Sequence, residues 1–239
     1  VTLLHEHFHQ WQDSRPGFFE AVNALGLARG DTSGMWMMNF PFPYKDAQVA
    51  KGYAALTQAL AAALDARGTP QFSQGLAAYR AARNQFVRGL TPDDAKYLAF
   101  QAWKEGVARY TEYRIGRLAA EYSAPGEAFR ALEDFRPYSA DTEATLENIL
   151  RELREPDLAG IQRVAFYALG AGEALLLDAA RPGWRSRYQA ERFSLEGLWA
   201  DGAGSTSESM SGTANFHGYR LAVALAAFGE PFGQRSGQA

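Results

Sequence analysis

Three of the four histidines in this 239-residue chain, His5, His7 and His9, fall within five residues, and Glu6 stands between the first two. On an α-helix, positions four apart stack on one face, so His5 and His9 offer two imidazoles to one tetrahedral ion. Glu6 is rotated by about 100° from His5. Its carboxylate then lies beside a metal-activated water instead of on the metal, where a general base belongs. His7 points away. This pattern makes His5 and His9 candidate ligands of a single zinc ion and Glu6 the candidate base of a metal-assisted hydrolysis.

The same residues admit other chemistry. On a strand, His5, His7 and His9 would share one face, as at the strand ends of amidohydrolase barrels or cupins. Those folds need many strands, and this chain has almost no β-branched alternation of four or more residues. Glu6-His7-Phe8-His9 is also an ExxH, the half-site of a di-iron helix bundle. Such a bundle takes a second ExxH from another helix, and none occurs here. Histidines that merely sit on a surface or in a satisfied core remain the alternative without chemistry.

A catalytic zinc takes a third protein ligand and keeps one position open. A metzincin would continue with Gly and His three and six residues after His9, where this chain has Gln12 and Arg15. Downstream, Glu105-Gly106-Val107-Ala108-Arg109-Tyr110 reads Glu-Gly-x-Ala-x-Tyr. With these two segments the chain resembles the gluzincin-type zinc metallopeptidases, in particular their aminopeptidase-N-like (peptidase MA-like) relatives. The resemblance implies a mostly α-helical catalytic core, one zinc ion, a peptide or protein substrate, and Glu105 as third ligand.

The helical pattern agrees with that choice, since Leu98, Gln101, Ala102, Glu105 and Ala108 share a face whose small residues permit close helix approach. The competing reading of Glu105 is an ordinary i,i+4 pair with Arg109. Glu20, Glu112 and Glu173 are the alternative ligands, and Glu112 could instead orient a ligand histidine. Tyr167-Ala168-Leu169-Gly170, Leu175-Leu176-Leu177-Asp178 and Pro182-Gly183-Trp184 resemble the downstream helix and turn of such bacterial proteins. They imply Tyr167 as a catalytic, oxyanion-stabilising hydroxyl.

The chain also departs from the family. Residues 10–104 separate the two motifs, room for two extra helices. The exopeptidase pattern Gly-x-Met-Glu-Asn is missing, because Gly34-Met35-Trp36-Met37-Met38-Asn39 has Met where Glu is needed. Aminopeptidase activity is therefore not expected. The sheet that precedes the metal-binding helix in gluzincins is expected to be lacking or a remnant, and a start at Val1 suggests a fragment or a processed product. The rival function is a non-catalytic helical domain with a structural or vestigial zinc site, closed by a fourth ligand such as His217.

The elements that must position these groups read as helices, because Ala, Leu, Glu, Arg and Gln dominate. The pattern predicts them over 1–12, 45–67, 71–87, 93–122, 143–153, 160–179 and around 219–228, with Thr91 capping the fourth and Pro92 in its first turn. The prolines and glycines of 31–44 preclude a regular helix and predict an apolar loop or short edge strand, either covering the core or walling a cleft. Residues 1–200 form the expected zinc-hydrolase core, and 201–239 a polar linker with a C-terminal helix and tail.

The net charge of −3, from 24 basic and 27 acidic residues mixed along the chain, provides no basic stripe for nucleic acid. No run approaches the ~20 apolar residues of a membrane span. The absence of cysteine rules out disulfides and thiolate metal sites. A periplasmic or secreted location is slightly favoured over a cytoplasmic one, and the oligomeric state is left open.

Overall fold

The computed structural model describes residues 2–199. They form α1 (Thr2–Asp13), α2 (Phe18–Ala24), α3 (Trp36–Asn39), α4 (Ala47–Asp65), α5 (Phe72–Arg88), α6 (Pro92–Gln101), a π turn (Ala102–Gly106) and α7 (Val107–Tyr122). After these come α8 (Glu127–Arg130), α9 (Tyr138–Arg154), α10 (Leu158–Ile161), a 3-10 turn (Gln162–Val164), α11 (Ala165–Ala180), α12 (Trp184–Arg187) and a 3-10 turn (Glu196–Trp199). The fold is mostly α, with no strand among the described residues. No helix there is long and apolar enough to cross a membrane. The expected linker and tail of 201–239, the helix around 219–228 and His217 lie outside the described residues.

The organising element is α11, buried almost throughout from Ala165 to Leu177. A helix that is apolar on all sides belongs in the centre of a bundle, and α11 packs against α4, α7 and α9. Local chemistry fixes the surrounding helix starts. Asp46 accepts from the backbone N–H groups of Gln48 and Val49, and Thr91 accepts from that of Asp94 ahead of Pro92. Each satisfies donors that a helix start leaves without a partner.

Two expectations change and a third narrows. The long helix over 93–122 contains a π turn, in which one extra residue shifts the register between α6 and α7. The helix expected from residue 160 starts at Ala165, after Gln162 adopts φ 49 and ψ −126. Residues 31–44 hold the single helical turn α3 and no strand. Asp31 accepts from the N–H groups of Ser33 and Trp36, while Trp36, Phe40 and Phe42 bury their rings in the core. Anchoring by aromatic side chains replaces pairing along a sheet edge, which this bundle does not provide. The Met37 carbonyl accepts from Tyr97 Oη and Gln101 Nε2, so this segment lies against the end of α6.

A close helix crossing beside Glu105 centres on two glycines. A Cβ on Gly106 would stand 2.4 Å from Gly170 Cα, and one on Gly170 would stand 2.1 Å from the Ala102 carbonyl oxygen. Helix α11 therefore crosses the π turn backbone to backbone, and no side chain fits between them.

Candidate metal centre

Helix α1 carries His5 and His9 part-buried on one face and leaves Glu6 and His7 exposed. Their rings meet edge to face, with centroids 4.6 Å apart. Glu105, in the π turn, reaches both: its Oε2 lies 3.1 Å from His5 Nε2 and 3.1 Å from His9 Nε2. One ligand atom from each of the three residues lies within 4.8 Å of the others. With metal–ligand bonds of about 2.0–2.1 Å, tetrahedral ligand atoms stand about 3.3 Å apart. The three donors therefore stand at spacings that one metal ion, zinc included, could span.

The rings are held from behind. His5 Nδ1 lies 2.9 Å from Glu112 Oε1, and His9 Nδ1 lies 2.7 Å from Gln12 Oε1. The Gln12 amide is oriented unambiguously, because its Nε2 donates to the Lys104 carbonyl at 3.2 Å, and a carbonyl can only accept. Its Oε1 must then face His9, which places a ring hydrogen on Nδ1 and makes Nε2, the atom that faces Glu105, the one a metal would take. Gln12 Nε2 also donates to Tyr188 Oη at 2.7 Å, and Tyr188 Oη donates to the Trp103 carbonyl at 2.7 Å. Two carbonyls of the π turn thus accept from side chains that tie the histidine helix to the glutamate.

Burial works against the charged form of His5, yet the carboxylates of Glu105 and Glu112 raise its pKa from the usual 6.5 to about 9. Burial also opposes the Glu105 carboxylate, but His5, His9 and the Tyr167 hydroxyl hold it well below the usual carboxylate range. Tyr167 stacks on His5 with ring centroids 5.8 Å apart. Its hydroxyl accepts from Arg163 Nη1 at 2.7 Å, while burial and then the nearby Glu105 carboxylate push the phenol up.

The structure thus brings together His5, His9, Glu105 and Tyr167, with Glu6 on the adjacent exposed face of α1. Of the alternative ligands, Glu112 stands behind His5. Glu173 is buried among Tyr79 and Arg83, and Glu20 is an exposed residue of α2. Arg109 does not pair with Glu105; it makes two 2.8 Å bonds to Glu152. Sequence reasoning missed Gln12, Tyr188 and Arg163. The only available signal was that Gln12 lies three residues after His9 and so follows it on the same helix face.

Comparisons with protein-family models, with curated proteins and with solved structures find no match to this chain.

Proposed function

We propose that this chain is a zinc-dependent hydrolase of the gluzincin type that cleaves peptides, with His5, His9 and Glu105 holding the metal. The observation that carries the reading is the orientation of both imidazoles: Glu112 and Gln12 hold their Nδ1 atoms, so that both Nε2 atoms turn on one Glu105 oxygen. Ligand histidines need that backing, which fixes tautomer and ring angle. The likeness of the two motifs to gluzincins makes peptides the substrate class.

When bound, zinc supplies polarisation of the scissile carbonyl and acidification of a water. Glu6 is exposed and has no ion-pair or hydrogen-bond partner among the described residues, so its carboxylate is free to take the proton of the attacking water and return it to the leaving amine. Tyr167, stacked on His5, is the hydroxyl that stabilises the developing oxyanion. Its raised pKa keeps it protonated and able to donate.

The test is metal analysis of the purified protein together with hydrolysis of an unstructured casein substrate, with and without chelator, for wild type and Glu6→Gln. We expect about one zinc per chain and chelator-sensitive hydrolysis. Glu6→Gln should keep its zinc and lose roughly 10²–10⁴-fold in rate, the usual contribution of a general base. A zinc-free wild type that resists loading, or near-normal hydrolysis by Glu6→Gln, would overturn the reading.

A further inference from the structure

Arg163 stands beside the metal cluster without a counter-ion. It lies in the 3-10 turn that leads into α11, half-buried, and its one hydrogen bond among the described residues goes to Tyr167 Oη. No carboxylate there lies within ion-pair distance of it, whereas three other part-buried arginines are neutralised. Arg83 pairs with Glu173, Arg109 with Glu152, and Arg185 with Asp178. The charge of Arg163 instead acts on the hydroxyls of Tyr44, Tyr97 and Tyr167, and it feels Glu105.

No Arg163 nitrogen is among the buried atoms that lack a partner, so its remaining donors are open to solvent and to a ligand. The backbone ahead of it is costly. Gln162 at φ 49, ψ −126 sits where a side chain is seldom tolerated, and such outliers collect at sites that bind.

We infer that Arg163 receives a carboxylate carried by the substrate close to the bond that is cleaved. This rests on the reading of the His5, His9 and Glu105 cluster as the catalytic centre. A guanidinium is a planar fork of N–H donors that matches a carboxylate, and at a half-buried position the attraction is less screened than in open water. Tyr167 sets the reach. Its hydroxyl accepts from Arg163 Nη1 at 2.7 Å and its ring stacks on His5 at 5.8 Å between centroids, so Arg163 stands one side chain away from the cluster. That is the scale of one to two residues of extended peptide, at about 3.3–3.6 Å each. The carboxylate is therefore a peptide's own C-terminus or an acidic side chain beside the scissile bond.

The experiment is titration calorimetry on the zinc-treated full chain carrying Glu6→Gln, so that peptides stay intact. The probes are an N-acetylated alanine-rich pentapeptide with a free C-terminal carboxylate, its C-terminal amide, and that amide with Glu as last residue. Zinc content is measured alongside. We expect at least one carboxylate-bearing peptide to bind about 10- to 100-fold more tightly than the plain amide, in keeping with a charge-assisted bidentate contact. Which of the two it is identifies the source of the carboxylate.

Arg163→Ala and Arg163→Gln should abolish the advantage at unchanged zinc content, and Arg163→Lys should keep part of it. Equal affinity for all three peptides, no measurable binding of any, or an advantage that survives Arg163→Gln would overturn the inference. The two readings fail separately: a carboxylate preference in protein that takes up no zinc removes the metal assignment and leaves Arg163, while zinc without the preference does the reverse.

Discussion

Replacing Gln12 by leucine isolates the device that sets the tautomer of His9. Leucine fills a similar volume in a fully buried position but removes both ends of the amide. Three hydrogen bonds are lost: 2.7 Å to His9 Nδ1, 3.2 Å to the Lys104 carbonyl and 2.7 Å to Tyr188 Oη. Tyr188 keeps its own donation to the Trp103 carbonyl, so the groups left unsatisfied are the Lys104 carbonyl and the His9 Nδ1–H. An unsatisfied buried group costs about 1–3 kcal/mol. At about 2–4 °C per kcal/mol for a domain of this size, the metal-free protein should melt several degrees lower.

Zinc binding should suffer separately. Without an acceptor at Nδ1, His9 can place its hydrogen on Nε2 and close the ligand position. Loss of such a partner typically weakens metal affinity about 10- to 100-fold, or about 1.4–2.7 kcal/mol. Thermal unfolding in chelator measures the first effect, and zinc titration against a competing chelator measures the second. A variant that melts lower but holds zinc within about twofold of wild type would refute the tautomer argument and leave Gln12 as a packing residue.

Other perturbations separate the parts of the site. His9→Ala should abolish zinc binding while His7→Ala leaves it intact, because His7 is exposed on the far side of α1; equal losses in a zinc titration would contradict the helical arrangement. Gly106→Ala forces a methyl group against the Gly170 backbone, which cannot yield as a side chain would. It should cost about 1–3 kcal/mol or more and weaken zinc binding by displacing Glu105; a melting temperature within one degree of wild type would count against the close crossing. Glu173→Ala strips Arg83 and Tyr79 of their buried partner, but Arg83 keeps the exposed Glu196, so the loss should fall near the lower end of the about 3–5 kcal/mol for a broken buried pair. Zinc affinity should not change, and a variant that loses zinc without losing stability would reinstate Glu173 as a ligand.

The legible features of this protein were the local ones. Helix class follows from residue type and apolar spacing, the start of α6 from Thr91 and Pro92, and the shared face of His5 and His9 from four residues of one helix. Residues 31–44 read as an apolar loop or an edge strand and form the loop, whose one helical turn, pinned by Asp31 and three buried rings, leaves no periodic signature. Tertiary structure decided everything that joins distant segments. The Glu105 oxygen meets imidazoles 96 and 100 residues away only because α11 presses its Gly170 onto the π turn at Gly106. The π turn adds one residue to the register, a change of about 100° that helical periodicity does not anticipate. Gln12 and Tyr188 meet across 176 residues, and Arg163 is set apart by its bond to Tyr167, which stacks on His5. Neighbours along a helix are fixed by its 3.6-residue repeat, whereas a partner from another segment, or the lack of one, is fixed by packing of the whole bundle.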